Sequence, residues 1–219
     1  MNGRALAASL LLTSLTSLAS ADGRPPVVLL FGPPGVGKST QSELLASSRR
    51  WPAISTGALL RAEVARATPL GKRVEDTMAH GGLVDDAIVN QLVAARIAAP
   101  DCARGFLLDG YPRAVAQAHY LDRLLAERGF APPTVVYLDA SDAVLIGRLA
   151  ARGRGDDSPT VVRARLQTYR TETRPVLDLY RGRPHFHSID GAQSRDEVFR
   201  AIEAALMRSE APKRGPGAQ

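Results

Sequence analysis

The chain has 219 residues, enough for one domain with a sizeable buried core and small inserted lobes. Its hydrophobic fraction of 45% and charged fraction of 23% are those of a globular protein, which excludes a disordered or collagenous chain. A net charge of +6 calls for an anionic partner without choosing among nucleotide, nucleic acid and membrane surface, and the single Cys102 excludes an internal disulfide and a thiolate metal cage. With no adjacent base, Cys102 reads as a structural thiol.

The chain opens with Arg4, a Leu- and Ala-rich run from Ala5 to Ala19, and Ala19-Ser20-Ala21, the pattern of a cleavable secretory signal. The run is too short and too rich in hydroxyls for a membrane span. A start codon placed too far upstream gives the same sequence. On either reading 1–24 stand outside the fold, and the tail 211–219 reads as disordered.

From Val27 onward, short apolar runs alternate with longer helical patterns. Strands are expected at Val27–Phe31, Ala53–Ser55, Gly105–Leu108, Thr134–Leu138 and Phe186–Ile189. Helices are expected near 38–48, 57–67, 84–98, 113–128, 142–151, 160–181 and 194–208, with Pro175 kinking or dividing the long one. Such alternation implies βαβ units and a mainly parallel sheet covered on both faces, with ligands beyond the carboxyl ends of the strands.

Gly32-Pro33-Pro34-Gly35-Val36-Gly37-Lys38-Ser39 satisfies the phosphate-loop pattern, with an apolar strand before it and an amphipathic helix after it. Glycines let several backbone N–H groups face one anion, and the helix N-terminus adds its positive end. Lys38 supplies a mobile charge, and the Ser39 or Thr40 hydroxyl can ligate Mg²⁺ or bond a phosphate oxygen. Asp109 closes an apolar strand and is suited to hold Mg²⁺ through water; its alternative is a helix N-cap.

Several ordered segments resemble the adenylate kinase family over about 27–207. Gly32–Thr40 is similar to its phosphate loop, and Ile54-Ser55-Thr56-Gly57-Ala58-Leu59-Leu60-Arg61 to its first monophosphate segment. Gly81-Gly82-Leu83-Val84 resembles the second, and Phe106-Leu107-Leu108-Asp109-Gly110-Tyr111-Pro112-Arg113 the third. The likeness continues through Gln117, Arg148, Arg152, Asp156-Asp157 and Arg165 to Asp190-Gly191.

The resemblance implies a P-loop NTPase fold: a five-stranded parallel sheet flanked by helices, a helical monophosphate lobe at about 55–84 and a very short lid at about 152–157. It implies transfer of a phosphoryl group from Mg-ATP to AMP, giving two ADP. ATP would meet Gly35, Val36, Gly37, Lys38, Ser39, Thr40, Arg148, Arg152 and the Gln193 backbone. AMP would meet Thr56, Arg61, Gly82, Leu83, Val84, Gly110, Tyr111, Pro112, Arg113, Gln117, Arg154 and Arg165. Lys38, Arg113, Arg148, Arg152, Arg154 and Arg165 form the expected catalytic set, because a guanidinium fork binds phosphate oxygens bidentately and stays charged. Gln117, one helical turn beyond Arg113, offers a carboxamide that can both donate to and accept from an adenine edge.

The sequence departs from the family in three places. Position 58 is Ala where the family usually has Asp, and position 39 is Ser where Gly is more common. Only Gly153 separates Arg152 from Arg154, so the lid is shortened, and no Cys or His cluster there could bind zinc. The expected protein is a cytoplasmic monomer, because ATP is supplied by the cytosol, although the signal-like start leaves export open. A pyrimidine or broad-specificity monophosphate kinase and an exported nucleotide binder without turnover are the other readings. A nucleic-acid binder built on the arginines of 148–174 is weak, since Tyr169 is the only aromatic among them.

Overall fold

The computed structural model describes residues 23–153 and 158–210. The signal-like run through Ala21, Arg154 with Asp156-Asp157, and the tail 211–219 lie outside the described residues.

Five parallel strands form one sheet: β1 (Val27–Phe31), β2 (Ala53–Ser55), β3 (Phe106–Asp109), β4 (Thr134–Asp139) and β5 (Phe186–Asp190). Their spatial order is β2-β3-β1-β4-β5. All of β1 is buried, as an unbroken apolar run in a sheet covered on both faces must be. Its side chains divide by parity: Val27, Leu29 and Phe31 join a core with Phe106, Leu108 and Tyr180, and Val28 and Leu30 join a second with Leu45, Leu145 and Ile202. β2 and β3 lie on one side of β1 and β4 and β5 on the other, so the switch point of strand order, where α/β sheets bind ligands, lies at the carboxyl end of β1. There Leu30 pairs with Asp109, placing the carboxylate of β3 beside the phosphate loop.

The helices are α1 (Lys38–Arg49), α2 (Thr56–Ala65), α3 (Pro69–Ala79), α4 (Asp86–Ile97), α5 (Val115–Glu127), α6 (Asp142–Arg152), α7 (Pro159–Thr168), α8 (Val176–Arg181) and α9 (Arg195–Glu210). Strands and most helices fall within a few residues of expectation, and three differences have physical causes. Helix α3 was not expected; Thr68 caps it by accepting from Gly71 N at 2.9 Å, and Pro69 fills its first turn, where no N–H is required. It also packs tightly on α2, since a Cβ at Gly71 would stand 2.1 Å from Glu63 O. Helix α4 begins at Asp86 because Asp85 caps it through Ala87 N and Ile88 N.

The stretch expected as one long helix is three pieces. After α7 a π-helical turn runs Tyr169–Thr173, with Arg174 N bonding Tyr169 O at 2.8 Å, and Pro175 opens α8. A proline ring lacks an N–H and crowds the carbonyl one turn back, so the chain widens before it.

Candidate active site

Two glycines of the phosphate loop, Gly32 and Gly35, leave no room for a side chain. A Cβ at Gly32 would lie 2.3 Å from Leu138 O, and one at Gly35 2.8 Å from Leu145 O. Gly37, at φ 105°, is the N-cap of α1 and provides no side-chain cap, so the first-turn N–H groups are left for an acceptor from outside. Lys38 Nζ donates to Gly32 O at 2.8 Å and Pro33 O at 2.9 Å, folding the ammonium into the loop. Burial, reinforced by Arg113 and Arg152 and opposed by Asp109, pushes its pKa down to about 8.

Asp109 is buried, and its Oδ2 accepts the Ser39 hydroxyl at 2.6 Å. It caps no helix: α5 starts beyond Ala114. A carboxylate and a hydroxyl converging beside a phosphate cradle are hard oxygen donors of the kind Mg²⁺ takes, with waters and nucleotide phosphates completing its octahedron. Among the described residues no cluster of three or more His, Cys, Asp or Glu could hold a metal ion.

The loop opens into a cleft of about 550 Å³ that reaches α2, α4 and the turn after β3. Among the described residues, Lys38, Arg61, Arg113, Arg148, Arg152, Arg165 and Arg195 line it, against the single carboxylate of Asp109. Cations gathered this closely repel one another, and a bound polyanion would offset that repulsion. Arg113 feels this directly: desolvation by the surrounding protein, then Arg165 and Arg61, push its pKa down, with Asp109 opposing. Its Nε donates to Gly110 O at 2.8 Å, and the Thr56 hydroxyl donates to the same carbonyl at 2.9 Å, so the start of α2 and the turn after β3 meet there. Gly82, Leu83, Val84, Tyr111, Pro112 and Thr40 also line the cleft, as does Gln193.

Arg148 has a further task. Its guanidinium donates to Gly191 O at 2.6 Å, Ala192 O at 3.2 Å, Gln193 O at 3.3 Å and Val36 O at 3.3 Å. It thereby ties the loop after β5 to the phosphate loop.

Gln117 is buried in the cleft wall with both ends of its carboxamide engaged. Oε1 accepts from Arg113 N at 2.8 Å, and Nε2 donates to Asp86 Oδ1 at 2.6 Å. The Tyr111 hydroxyl donates to Asn90 Oδ1 at 2.6 Å, fixing the turn after β3 against α4.

The adenylate kinase family model matches residues 30–184. The adenylate kinase of Xanthomonas campestris pv. campestris (strain B100) is 47% identical over 185 residues, covering 83% of this chain and 99% of that protein. That of Stenotrophomonas maltophilia (strain K279a) is 45% identical over 183 residues, covering 82% and 98%, and that of Chelativorans sp. (strain BNC1) is 42% identical over 192, covering 83% and 99%.

The chain belongs to the adenylate kinase family.

It is thus an enzyme of the phosphotransferase class. Of its departures from the adenylate kinase pattern, Ala58 sits exposed in the first turn of α2, and Ser39 makes the bond to Asp109. The shortened lid and Arg154 fall outside the described residues. Sequence reasoning missed Arg195, at the start of α9, and Asp86. An acidic residue at a helix start reads as a capping charge, so only its bond to Gln117 gives it away.

Among the described residues no helix is long and apolar enough to cross a membrane. Cys102 is buried, with Arg96 Nη1 3.2 Å from its sulfur, and burial pushes the thiol pKa up, as suits a structural cysteine.

Proposed function

We propose that the cleft carries out ATP + AMP ⇌ 2 ADP by direct in-line transfer, with no covalent enzyme intermediate. The observation that supports this most is that, among the described residues, seven cations and one carboxylate line the cleft around a glycine-walled helix N-terminus. Transfer between two bound nucleotides gathers many phosphate charges in one place, and a cleft wall so rich in cations is suited to that state.

In this reading the N–H groups of Gly35–Thr40 cradle the ATP phosphates, and Lys38 exchanges the Gly32 and Pro33 carbonyls for phosphate oxygens. Arg61 and Arg113 hold the AMP phosphate, while Arg148, Arg152, Arg154 and Arg165 neutralise charge on the moving group. Ser39 and Asp109 would hold Mg²⁺, Asp109 through water; when bound, the ion neutralises phosphate oxygens of the donor. Thr56, Gly82, Leu83, Val84, Gly110, Tyr111, Pro112 and Gln117 enclose AMP, and the Gln193 backbone meets the adenine of ATP.

The lobe at about 55–84, carrying α2 and α3, is the monophosphate-binding unit, and the lid is 152–157. The protein is read as a monomer acting in the cytoplasm, where ATP is supplied. Residues 1–24 precede β1 and are proposed to be dispensable for turnover, at the loss of the contact of Arg24 Nη1 with Phe130 O at 3.3 Å. A nucleic-acid role is disfavoured because Tyr169 is buried and offers no stacking face.

The test is a coupled assay of purified protein with Mg-ATP and AMP, UMP, CMP or GMP in turn. AMP should give the highest kcat/KM, by at least about tenfold. A preference for UMP or CMP would assign a pyrimidine kinase, and no turnover with any acceptor would leave a nucleotide binder.

A further inference from the structure

The bonds to Gln117 fix more than its position. An amide side chain can turn over and exchange its oxygen and nitrogen, and the two ends then present opposite patterns to a base. Here both neighbours select the same orientation. Arg113 N can only donate, so it requires Oε1 on its side, at 2.8 Å. Asp86 Oδ1, on α4, accepts from Nε2 at 2.6 Å, and an ionised carboxylate can only accept. The turned-over amide would set an oxygen against the carboxylate and an NH₂ against the Arg113 N–H, losing both bonds and adding repulsion. Gln117 is 2% exposed, so water cannot stand in for either partner.

One N–H and one lone pair remain on the amide, in a fixed order across its outer edge. A 6-aminopurine presents a ring acceptor, N1, beside a donor amino group; a 6-oxopurine presents N1–H beside an acceptor oxygen. A locked amide matches one of these patterns, whereas a free amide can turn to match either.

We propose that Asp86 is a specificity-determining positioning residue: by holding the Gln117 carboxamide in one orientation, it makes the acceptor site accept 6-aminopurine and reject 6-oxopurine monophosphates. This rests on the proposed AMP site and adds to it a residue outside the base contact itself. Asp86 acts through Gln117 and does not touch the phosphates.

The experiment compares AMP with IMP, which differ only at the purine 6-position and its adjoining ring nitrogen, as acceptors for the full chain and its Asp86→Asn variant. Asn at 86 keeps the shape but can accept from one amide orientation or donate to the other, so only the Arg113 N–H is left to select the orientation and the lock is weakened. The wild-type ratio of kcat/KM for AMP over IMP should fall by about tenfold or more in Asp86→Asn, the scale of a charged hydrogen bond. Part of the fall should come from a gain with IMP, while KM for ATP stays within about twofold. Asp86→Ser, which also removes the charge, should shift the ratio the same way and serves if the Asn variant folds poorly.

A merely structural role at the start of α4 would lower both acceptors together and leave the ratio unmoved, which overturns the proposal. A wild-type enzyme that uses AMP well, with variants that keep its ratio over IMP, sinks the lock alone. A wild-type enzyme that does not phosphorylate AMP sinks the acceptor-site reading and the lock with it.

Discussion

The hydroxyl of Ser39 and the carboxylate of Asp109 meet at 2.6 Å, joining the first turn of α1 to the end of β3 beside the phosphate cradle. Neither group alone would make a cation site. Together, with the phosphates of a bound nucleotide, they offer the oxygen donors that Mg²⁺ takes.

Asp109→Asn keeps the shape and removes the charge. Its kcat should fall by about 10- to 100-fold, and more Mg²⁺ should be needed for half-maximal rate. Ser39→Gly should cost less than about fivefold, since one neutral hydrogen bond is lost. Titrating rate against Mg²⁺ for the three enzymes checks this, and an Asp109→Asn enzyme with an unaltered Mg²⁺ profile would contradict the metal role.

Lys38 gives a pH signature. Its folded-state pKa is lowered to about 8 from 10.5 by burial, aided by Arg113 and Arg152, so the free enzyme loses this charge as pH rises through about 8. Phosphate binding needs the charged form and must then take up a proton. Above that pH, kcat/KM for ATP should fall by up to about tenfold per pH unit, while kcat stays flatter because bound phosphates restore the charge. The same depression means the unfolded chain binds more protons between about 8 and 10.5, so this group's contribution to stability rises with pH across that window. A pH profile of kcat/KM that is level to pH 10 would rule out a depressed lysine in this role.

Gly110 lies where Thr56 and Arg113 converge, at φ +80°. An added Cβ would stand 3.0 Å from Arg113 Nη2 and 3.1 Å from Thr56 Oγ1, and the backbone angle itself disfavours Ala. On the proposed acceptor site, Gly110→Ala should therefore displace Thr56 and Arg113 and lower kcat/KM for AMP by about 10- to 100-fold, with KM for ATP nearly unchanged. Equal losses for both nucleotides would place Gly110 outside the acceptor site.

Stability away from the cleft depends on Arg49. Its side chain, 4% exposed, pairs with Glu203 at 2.6 Å and Glu210 at 2.8 Å and lies over Trp51, fastening α1 to α9. Arg49→Met leaves two partly buried carboxylates without their partner and should cost about 3 kcal/mol, lowering Tm by roughly 10 °C. Thermal unfolding alongside an assay at 20 °C checks it; an unchanged Tm would mean that the carboxylates find water at no cost.

The parallel sheet, the phosphate loop and Asp109 were legible because each is a local pattern: an apolar run, glycines at fixed spacing, a carboxylate at a strand end. Helix α3 was also written there, in Thr68-Pro69 and in Leu70, Val74 and Met78 one turn apart, but its apolar stripe is narrow and its flanks are charged. The π turn before Pro175 depends on how the chain relieves a clash, which residue types alone do not specify. The task of Arg148 against carbonyls of the 191–193 loop and the bond from Gln117 to Asp86 join positions far apart in the chain, so no spacing rule reveals them.

The most direct test of phosphoryl transfer between two bound nucleotides is a ³¹P NMR time course with purified protein and Mg²⁺, begun once from ATP plus AMP and once from ADP alone. Both mixtures should converge on the same proportions of ATP, ADP and AMP, with little inorganic phosphate, and Lys38→Ala should stop both approaches. Accumulation of inorganic phosphate without ADP-to-ATP conversion, or an active Lys38→Ala enzyme, would contradict direct transfer in this cleft.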